Sequence, residues 1–402
     1  MQRRTFLHAS LGATALGSTG RLFAAPAAGS RLLLVFLRGG YDANSLLVPV
    51  ASSFYREVRP NIAIPRAAEG VRGALSLNAD WGLHPALENS VYPLAQKRQA
   101  CFIPFAGTHD TSRSHFETQD TIELGQADGG RRDFGSGFMN RLASVLQGRD
   151  AIAFTDQLPL VLRGRIDVAN VSLKSMPKPS DAKLRQSLTS MYQAHPLEAR
   201  VSEAFEVRDE VAREMTKETT KEMAGEMEAA NRNAIDAKGF ELEARRIARL
   251  MRERYALGFV DVGGWDTHVG QGAASGYLAS RFDELGRGLA GFADEIGESA
   301  WRDTVVVVVS EFGRTMRENG NRGTDHGHGS VYWVLGGSLA AAPVAGVQQG
   351  IEARTLFQNR DMPVLNEYRA LLGGLLARQF DLSAAMLEQV FPGAQPQDIG
   401  LI

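Results

Sequence analysis

The sequence predicts an α/β fold whose central sheet is mostly parallel. Five segments have strand length and are apolar almost throughout; they are residues 32–37, 100–105, 257–262, 304–309 and 331–335. Continuous apolar runs are typical of strands buried on both faces. From 278 to 296, apolar residues recur every three or four positions, which predicts an amphipathic helix. A helix followed by such a strand indicates helices layered on a sheet.

The first 28 residues are predicted to be an export signal. Arg3 and Arg4 precede Phe6 and Leu7, and small residues at 24–28 form the expected cleavage region. This pattern is typical of a twin-arginine signal, so we expect the twin-arginine translocase as a partner and the periplasm as the destination. The apolar stretch of the signal is too short and too rich in glycine for a stable membrane span.

Residues 29–402 are expected to form one domain. With 44% hydrophobic residues and a formal net charge of −2, the composition is that of a globular protein without an evident nucleic-acid surface. The single cysteine, Cys101, lies in an apolar run and is expected to be a buried strand residue. Residues 180–254 are rich in Glu, Lys, Arg, Met and Ala, which predicts a charged helical insertion with a mainly solvated surface.

Polar clusters follow four of the predicted strands, at residues 38–42, 108–115, 263–268 and 310–314. Ligands of open α/β sheets bind outside the carboxyl ends of the strands, so we expect these clusters to meet at one edge. Five of the eight histidines fall within 107–117 and 263–329. Imidazoles and carboxylates at such spacings suit a divalent ion such as zinc, iron or manganese.

Each candidate also has a structural interpretation. Asp42 is equally compatible with a helix cap or a turn. Glu311 and Arg314 are as compatible with an ion pair at a strand end as with a site. His84 lies outside the clusters and is interpreted as structural. Phosphate-loop, Cys-x-x-Cys, His-Glu-x-x-His and Gly-x-Ser-x-Gly motifs are absent from the sequence.

The motifs together resemble the family called Domain of Unknown Function 1501. Besides the twin-arginine start, they are Leu-Arg-Gly-Gly-Tyr-Asp at 37–42, Ser-Arg-Ser-His-Phe at 112–116, Gly-Trp-Asp-Thr-His at 264–268, Ser-Glu-Phe-Gly-Arg-Thr at 310–315 and Thr-Asp-His-Gly-His-Gly at 324–329. The resemblance runs in order over nearly the whole chain and is weakest in the charged helical stretch. This family looks like a remote branch of the alkaline-phosphatase and sulfatase superfamily. An alkaline-phosphatase-like α/β sandwich with metal at its strand ends is therefore implied.

The resemblance also implies roles for single residues. The candidate metal ligands are Asp42, Asp266, His268, Glu311, Asp325, His326 and His328. Ser114 is the first candidate for the nucleophile, followed by Ser112 and Thr111. His115 or His109 is a candidate proton shuttle, and Arg113 or Arg314 is a candidate for stabilising the anionic transition state.

Two departures from the superfamily pattern bear on the expected function. Where its active members usually carry an Asp-His pair, this chain has Glu311-Phe312, and phenylalanine cannot ligate a second metal. Cys101 is not in a Cys-x-Pro-x-Arg context, which disfavours a formylglycine sulfatase. The expected function is an exported metal-dependent hydrolase of phosphate or sulfate esters, with a small-molecule or polymer substrate. The alternative is a non-catalytic envelope binding or assembly protein of the same fold.

Overall fold

The computed structural model describes residues 29–67, 72–127, 129–147, 149–172, 189–193, 195, 197–198, 201 and 237–402. The predicted twin-arginine signal and most of the predicted helical insertion at 180–254 lie outside the described residues. The end of that insertion forms a helix at Ala237–Glu253.

An eight-stranded sheet forms the centre of the molecule. Its strands are β1 (Arg31–Leu37), β5 (Ala100–Gly107), β6 (Ala151–Phe154), β7 (Ala169–Asn170), β8 (Leu257–Val262), β9 (Thr304–Ser310), β10 (Ser330–Gly336) and β11 (Asn366–Glu367). Their order is β11-β5-β10-β9-β1-β8-β6-β7, and within this described sheet β10 alone runs antiparallel to its neighbours. The predicted α/β fold with a mostly parallel sheet is therefore confirmed. A separate small sheet contains β2 (Leu47–Val48), β3 (Leu75–Ser76) and β4 (Gly82–Leu83).

Helices cover both faces of the large sheet. They are α1 (Ala43–Leu46), α2 (Ser53–Glu57), α3 (Val91–Gln96), α4 (His115–Leu124), α5 (Phe138–Val145), α6 (Ala237–Glu253), α7 (Tyr277–Ile296), α8 (Glu298–Arg302), α9 (Tyr368–Phe380) and α10 (Ala384–Val390). Short 3₁₀ turns lie at Pro85–Leu87, Leu160–Leu162 and Ala353–Thr355. Among the described helices, none is long and apolar enough to cross a membrane.

Two apolar cores lie on opposite faces of the sheet. Leu33 and Val35 of β1 belong to the core that α6 and α7 cover, whereas Leu34 and Phe36 belong to the core that α5, α9 and α10 cover. This alternation follows from the period of two along a strand, and it explains why β1 carries no polar residue on either face after Arg31. Burying one such side chain fully contributes about 1.5–3 kcal/mol to folding. Cys101 is buried in β5, as predicted.

One edge of this sheet collects the polar loops. Strands β5, β9, β1 and β8 run in the same direction, so the loops that follow them leave at the same edge. Because β10 is antiparallel, its amino end lies at this edge too, and residues 324–329 immediately precede it. Five adjacent strands therefore contribute to one loop cluster.

Candidate metal centre

Three histidines and an aspartate converge at this edge of the sheet. His115, Asp266 and His326 each offer one ligand atom, and these three atoms lie within 4.8 Å of one another. The Nε2 atoms of His115 and His326 are 3.0 Å apart. His268 borders this group, with its Nε2 3.1 Å from that of His326 and 2.9 Å from Oδ1 of Asp266. We call these four residues the histidine cluster.

The opposite ring nitrogen of each histidine faces a hydrogen-bond acceptor. His115 Nδ1 lies 2.7 Å from Oε1 of Glu311, His326 Nδ1 lies 3.1 Å from the Arg113 carbonyl oxygen, and His268 Nδ1 lies 3.4 Å from Oδ1 of Asp325. In the neutral rings of His115 and His326 these acceptors place the proton on Nδ1, whereas His268 faces a carboxylate oxygen at both of its ring nitrogens. All three Nε2 atoms point into the cluster, and the unprotonated Nε2 atoms of His115 and His326 cannot hydrogen-bond to each other.

Asp266 is held ionised beside these rings. Burial alone would raise its pKa, but the hydrogen bond and charge of Arg314, followed by His268 and His115, lower that pKa below its usual range. Burial, the charge of Arg314 and the neighbouring His115 lower the pKa of His326. The cluster therefore keeps a carboxylate charged and an imidazole neutral, which are the protonation states of metal ligands.

Glu311 anchors His115 from beneath the cluster. Its carboxylate is fully buried and accepts from Gln119 Nε2 at 2.9 Å, from the Gly39 N–H at 2.8 Å and from the Ser310 hydroxyl at 2.9 Å. Burial would raise the pKa of Glu311, but hydrogen bonds from His115, Gln119 and backbone N–H groups lower it. A carboxylate that orients a ligating imidazole is a common outer partner of metal sites.

The loop after β1 must contain glycine to reach this arrangement. Gly39 has φ +123°, and a Cβ there would lie 2.7 Å from the backbone N of Asp266. Gly40 has φ +59°, and a Cβ there would overlap the Phe312 ring. The Gly39 and Gly40 carbonyls accept from the Arg314 guanidinium. This loop therefore fixes Arg314 and, through it, Asp266.

The residues of the histidine cluster fit a divalent ion. Ligands at 2.0–2.2 Å from one tetrahedral ion are roughly 3.3–3.6 Å apart. Five separations between ligand atoms of the cluster run from 2.9 to 3.8 Å and bracket that range. The side chains of Asp266 and His268 are 48% and 39% exposed, so the cluster opens to solvent. Three imidazoles and one carboxylate suit a borderline ion such as zinc.

Two of the predicted metal ligands are placed elsewhere. Asp42 is fully buried, and both of its oxygens accept from Arg59, at 2.6 and 3.0 Å. A cation there would have to displace the guanidinium, so the prediction of Asp42 as a ligand was wrong. His328 is buried, packs against Phe357 and has its pKa lowered to about 4 by burial first and then by nearby cations. It is not a member of the histidine cluster either.

Glu311 and Asp325 contact the cluster from outside it. Each faces the Nδ1 of a clustered histidine, so each orients a ligand and does not offer its own oxygen to the centre. His115, which the sequence suggested as a proton shuttle, has instead the position of a ligand. Gln119 was not predicted, although its place one helical turn after His115 puts both on one face of α4.

The predicted anion-binding arginines are both engaged by protein groups. Arg314 is fully buried, and its donors go to Asp266, to the Gly39, Gly40 and Thr324 carbonyls and to His268. Because these donors are all engaged within the protein, none is left for a substrate. The predicted role of Arg314 in the transition state is therefore corrected: Arg314 holds Asp266 in place. Arg113 donates to Oδ2 of Asp361 from Nε at 3.0 Å and from Nη2 at 2.6 Å.

The predicted nucleophiles surround the start of α4. Ser114 is the N-cap of this helix, directly before His115, and its half-buried hydroxyl accepts from the Glu117 N–H at 3.5 Å. The Ser112 hydroxyl lies 3.4 Å from that of Thr118 and accepts from the Ser114 N–H. Thr111 and His109 are exposed in the preceding loop.

The order of these motifs along the chain matches a known family. The family model described as "Protein of unknown function (DUF1501)" matches residues 29–391, which includes every residue of the histidine cluster. The chain belongs to the DUF1501 family. A search of curated proteins gave no match for this DUF1501 member.

Solved structures similar to this DUF1501 chain share little sequence with it. A Vibrio parahaemolyticus protein in the alkaline phosphatase superfamily is 11% identical with a TM-score of 0.41; the match covers 87% of this chain and 66% of that one, just under two thirds of its length. A Bacteroides thetaiotaomicron protein, from a locus for the metabolism of glycosaminoglycans, is 10% identical with a TM-score of 0.32, over 90% and 74%. A phosphonate monoester hydrolase of Agrobacterium radiobacter is 12% identical with a TM-score of 0.27, over 76% and 68%.

Proposed function

We propose that this DUF1501 protein is a metal-dependent hydrolase of phosphate or sulfate esters, with a divalent ion held by His115, Asp266, His268 and His326. The observation that supports the proposal is the convergence of three imidazole Nε2 atoms whose Nδ1 atoms all face acceptors. Metal-ligating histidines usually have such an acceptor at the ring nitrogen that faces away from the metal. When bound there, a divalent ion would polarise the ester oxygen and lower the pKa of an attacking hydroxyl or water.

The chain's own groups favour an anionic ester beside the cluster. Helix α4 begins at His115, and the N–H groups of its first turn and its dipole attract negative charge. Ser114 lies at this helix start and supplies the first candidate hydroxyl for attack, as the sequence suggested. Asp266 stays ionised because it is paired with Arg314. The positive charge of Arg314 offsets the negative charge that Asp266 presents to the ester.

One ion per chain is the expected stoichiometry. Phe312 is buried, and its ring lies 4.9 Å from that of His115 and 5.0 Å from that of His326. It forms an apolar wall that orients both histidines and offers no ligand atom. The rate gain of a two-metal site, in which both the attacking and the leaving oxygen are bound, is therefore not expected.

Metal content and ester hydrolysis test this proposal together. We expect about one divalent ion per purified chain by elemental mass spectrometry, and hydrolysis within a panel of phosphate and sulfate esters. His326→Ala should lose both, because Nε2 of His326 is the atom nearest to the other two imidazoles. His195→Ala, which alters an exposed histidine of the helical insertion, should lose neither.

The other outcomes separate the candidate functions. Stoichiometric metal without hydrolysis of any ester would favour the alternative, a non-catalytic envelope binding or assembly protein. If wild-type protein expressed in zinc- and manganese-supplemented medium contains no metal after purification, the hydrolase proposal is refuted.

We also propose that the chain is exported to the periplasm by the twin-arginine translocase. The proposal rests on Arg3-Arg4, the following Phe6-Leu7 and the small residues at 24–28. Replacing Arg3 and Arg4 with lysine should retain the precursor in the cytoplasm, as seen by fractionation and by its larger mass. Unchanged periplasmic recovery of the double variant would contradict this route.

A further inference from the structure

A buried amide connects the two loops that carry most of the histidine cluster. Gln271 is fully buried, and its Oε1 accepts from the Thr267 hydroxyl at 3.2 Å and from the Thr324 hydroxyl at 3.1 Å. Thr267 stands between Asp266 and His268, and Thr324 is two residues before His326. The side-chain oxygen of one residue therefore touches both ligand loops.

A buried ion pair fixes this amide from its other end. Gln271 Nε2 donates to Oδ2 of Asp42 at 2.7 Å. Asp42 is paired with Arg59, and the Arg59 guanidinium donates in turn to the Thr315 and Met316 carbonyls at 2.9 and 2.7 Å. Asp42, Arg59 and Gln271 are all fully buried. Because each polar atom is satisfied by another member, moving one of them leaves a buried group unpaired.

We propose that Gln271, held by Asp42 and Arg59, is a positioning residue that sets the separation of the ligand loops and thereby the metal affinity of the histidine cluster. This inference rests on the proposed function, since it concerns the same metal site. Three backbone bonds also join the loops: from the Thr324 N–H to the Thr267 carbonyl at 3.1 Å, from the Gly270 N–H to the Asn321 carbonyl at 2.9 Å, and from the Gln271 N–H to the Arg322 carbonyl at 3.0 Å. The Gln271 side chain adds a buried link at Thr267 and Thr324, which lie within two residues of the ligands.

The alternative is that this network stabilises the fold and has no bearing on the ligands. Gln379 of α9 offers the matched control, because it is a buried glutamine too. Its amide donates to the Arg31 and Asp303 carbonyls at 3.2 and 2.7 Å, at a place where no residue of the cluster lies. Gln→Met at either position removes the amide's hydrogen bonds and keeps a side chain of similar length.

The experiment is a Zn²⁺ titration of wild-type, Gln271→Met and Gln379→Met protein against a chromophoric chelator, with thermal unfolding of each metal-free protein alongside. We expect Gln271→Met to weaken zinc affinity 10- to 100-fold, the usual effect of losing an outer-shell partner. Gln379→Met should lose thermal stability but bind zinc within threefold of the wild type. Zinc affinity of Gln271→Met within threefold of the wild type, or equal weakening in both variants, would overturn the inference.

A milder variant covers the case in which Gln271→Met does not fold. Thr267→Val combined with Thr324→Val removes both donors to Gln271 Oε1 with little change of volume, and the same thresholds then apply to it. A wild-type protein that binds no zinc would instead refute the proposed function itself, so the two failures are distinguishable.

Discussion

At the scale of single residues, neighbouring acceptors and donors decide what each histidine can do. In His115 and His326 the acceptor faces Nδ1, which leaves Nε2 of the neutral ring unprotonated and aimed, together with Nε2 of His268, at a common centre. In His84 the arrangement is reversed: Nδ1 accepts from the Ala86 N–H at 3.0 Å, so Nε2 carries the proton and donates to the Ala273 carbonyl, also at 3.0 Å. One residue type thus supplies candidate ligands at the sheet edge and a structural link elsewhere.

The buried imidazole of His84 should make folding sensitive to acid. Burial, the largest cause, lowers the pKa of His84 from 6.5 to about 4. The unfolded chain therefore binds this proton more tightly than the folded one. Its contribution to stability is fully present above pH 6.5 and is lost as the pH falls towards 4. Between pH 7 and pH 5 we expect this group to cost about 2 kcal/mol of unfolding free energy.

Urea denaturation of chelator-treated protein at pH 7 and pH 5 measures this effect. His84→Asn is the matched variant, because its Oδ1 can still accept at the start of the 3₁₀ turn but does not titrate in this range. The stability difference between the two pH values should shrink by about 2 kcal/mol in the variant. An identical pH dependence in both proteins would show that His84 does not titrate between the folded and unfolded states as stated.

At the scale of elements, the loop after β1 packs tightly against the backbone of the site. Gly39 must take φ +123° and pass within contact of the Asp266 backbone, so Gly39→Ala should lower stability by roughly 2–4 kcal/mol and displace Asp266. Gly263→Ala is the control, since a Cβ there meets nothing within 4 Å. We expect it to change stability by less than about 0.5 kcal/mol.

Thermal unfolding and zinc binding of the two alanine variants would check this contrast. Equal stability of both variants would mean that the Gly39 backbone adapts, and that the loop is less constrained than its contacts indicate. Loss of zinc binding in Gly39→Ala, with binding kept in Gly263→Ala, is the expected second difference.

The strands that carry the site were predictable because a strand buried on both faces is apolar at almost every position. Residues 305–309 are five consecutive valines, and β9 indeed forms Thr304–Ser310 in the middle of the sheet. Two-residue strands such as β7 and β11 were not predicted, because their pairing comes from neighbours and not from their own residues. The antiparallel direction of β10 was not predicted either, yet it brings His326 to the same edge as the loops that follow the parallel strands.

The sequence identified which residues could be ligands, but it did not show which of them pair with another side chain in the folded protein. Asp266, His268 and His326 stood out because carboxylate and imidazole side chains lie among glycines next to buried strands. Asp42 stood out for the same reason, and nothing local distinguishes it from them. What separates it is Arg59, which lies seventeen residues later and meets it only in the folded protein. Which acidic group is neutralised by a cation is a property of tertiary structure.

At the scale of the whole molecule, the site depends on segments that are far apart along the chain. His115, the Asp266–His268 loop and His326 come from three regions, and the sheet that unites them pairs β1 with β8 and β9. Closing such long loops is entropically costly, so the cluster cannot assemble from a local fragment. We therefore expect the protein to bind metal only once the central sheet has formed.

The central place of β1 has a consequence for how the chain is made. β1 is the first of the described strands to be synthesised, and both of its neighbours, β8 and β9, are encoded some 220 to 270 residues later. At a synthesis rate of about 5–20 residues per second, its two hydrogen-bonding edges stay unpaired for on the order of 10–50 s. Leu32–Phe36 is an uncharged run of leucine, valine and phenylalanine, of the kind that self-associates when exposed. The nascent chain thus carries this strand with both edges unpaired long before its own β8 and β9 can cover them.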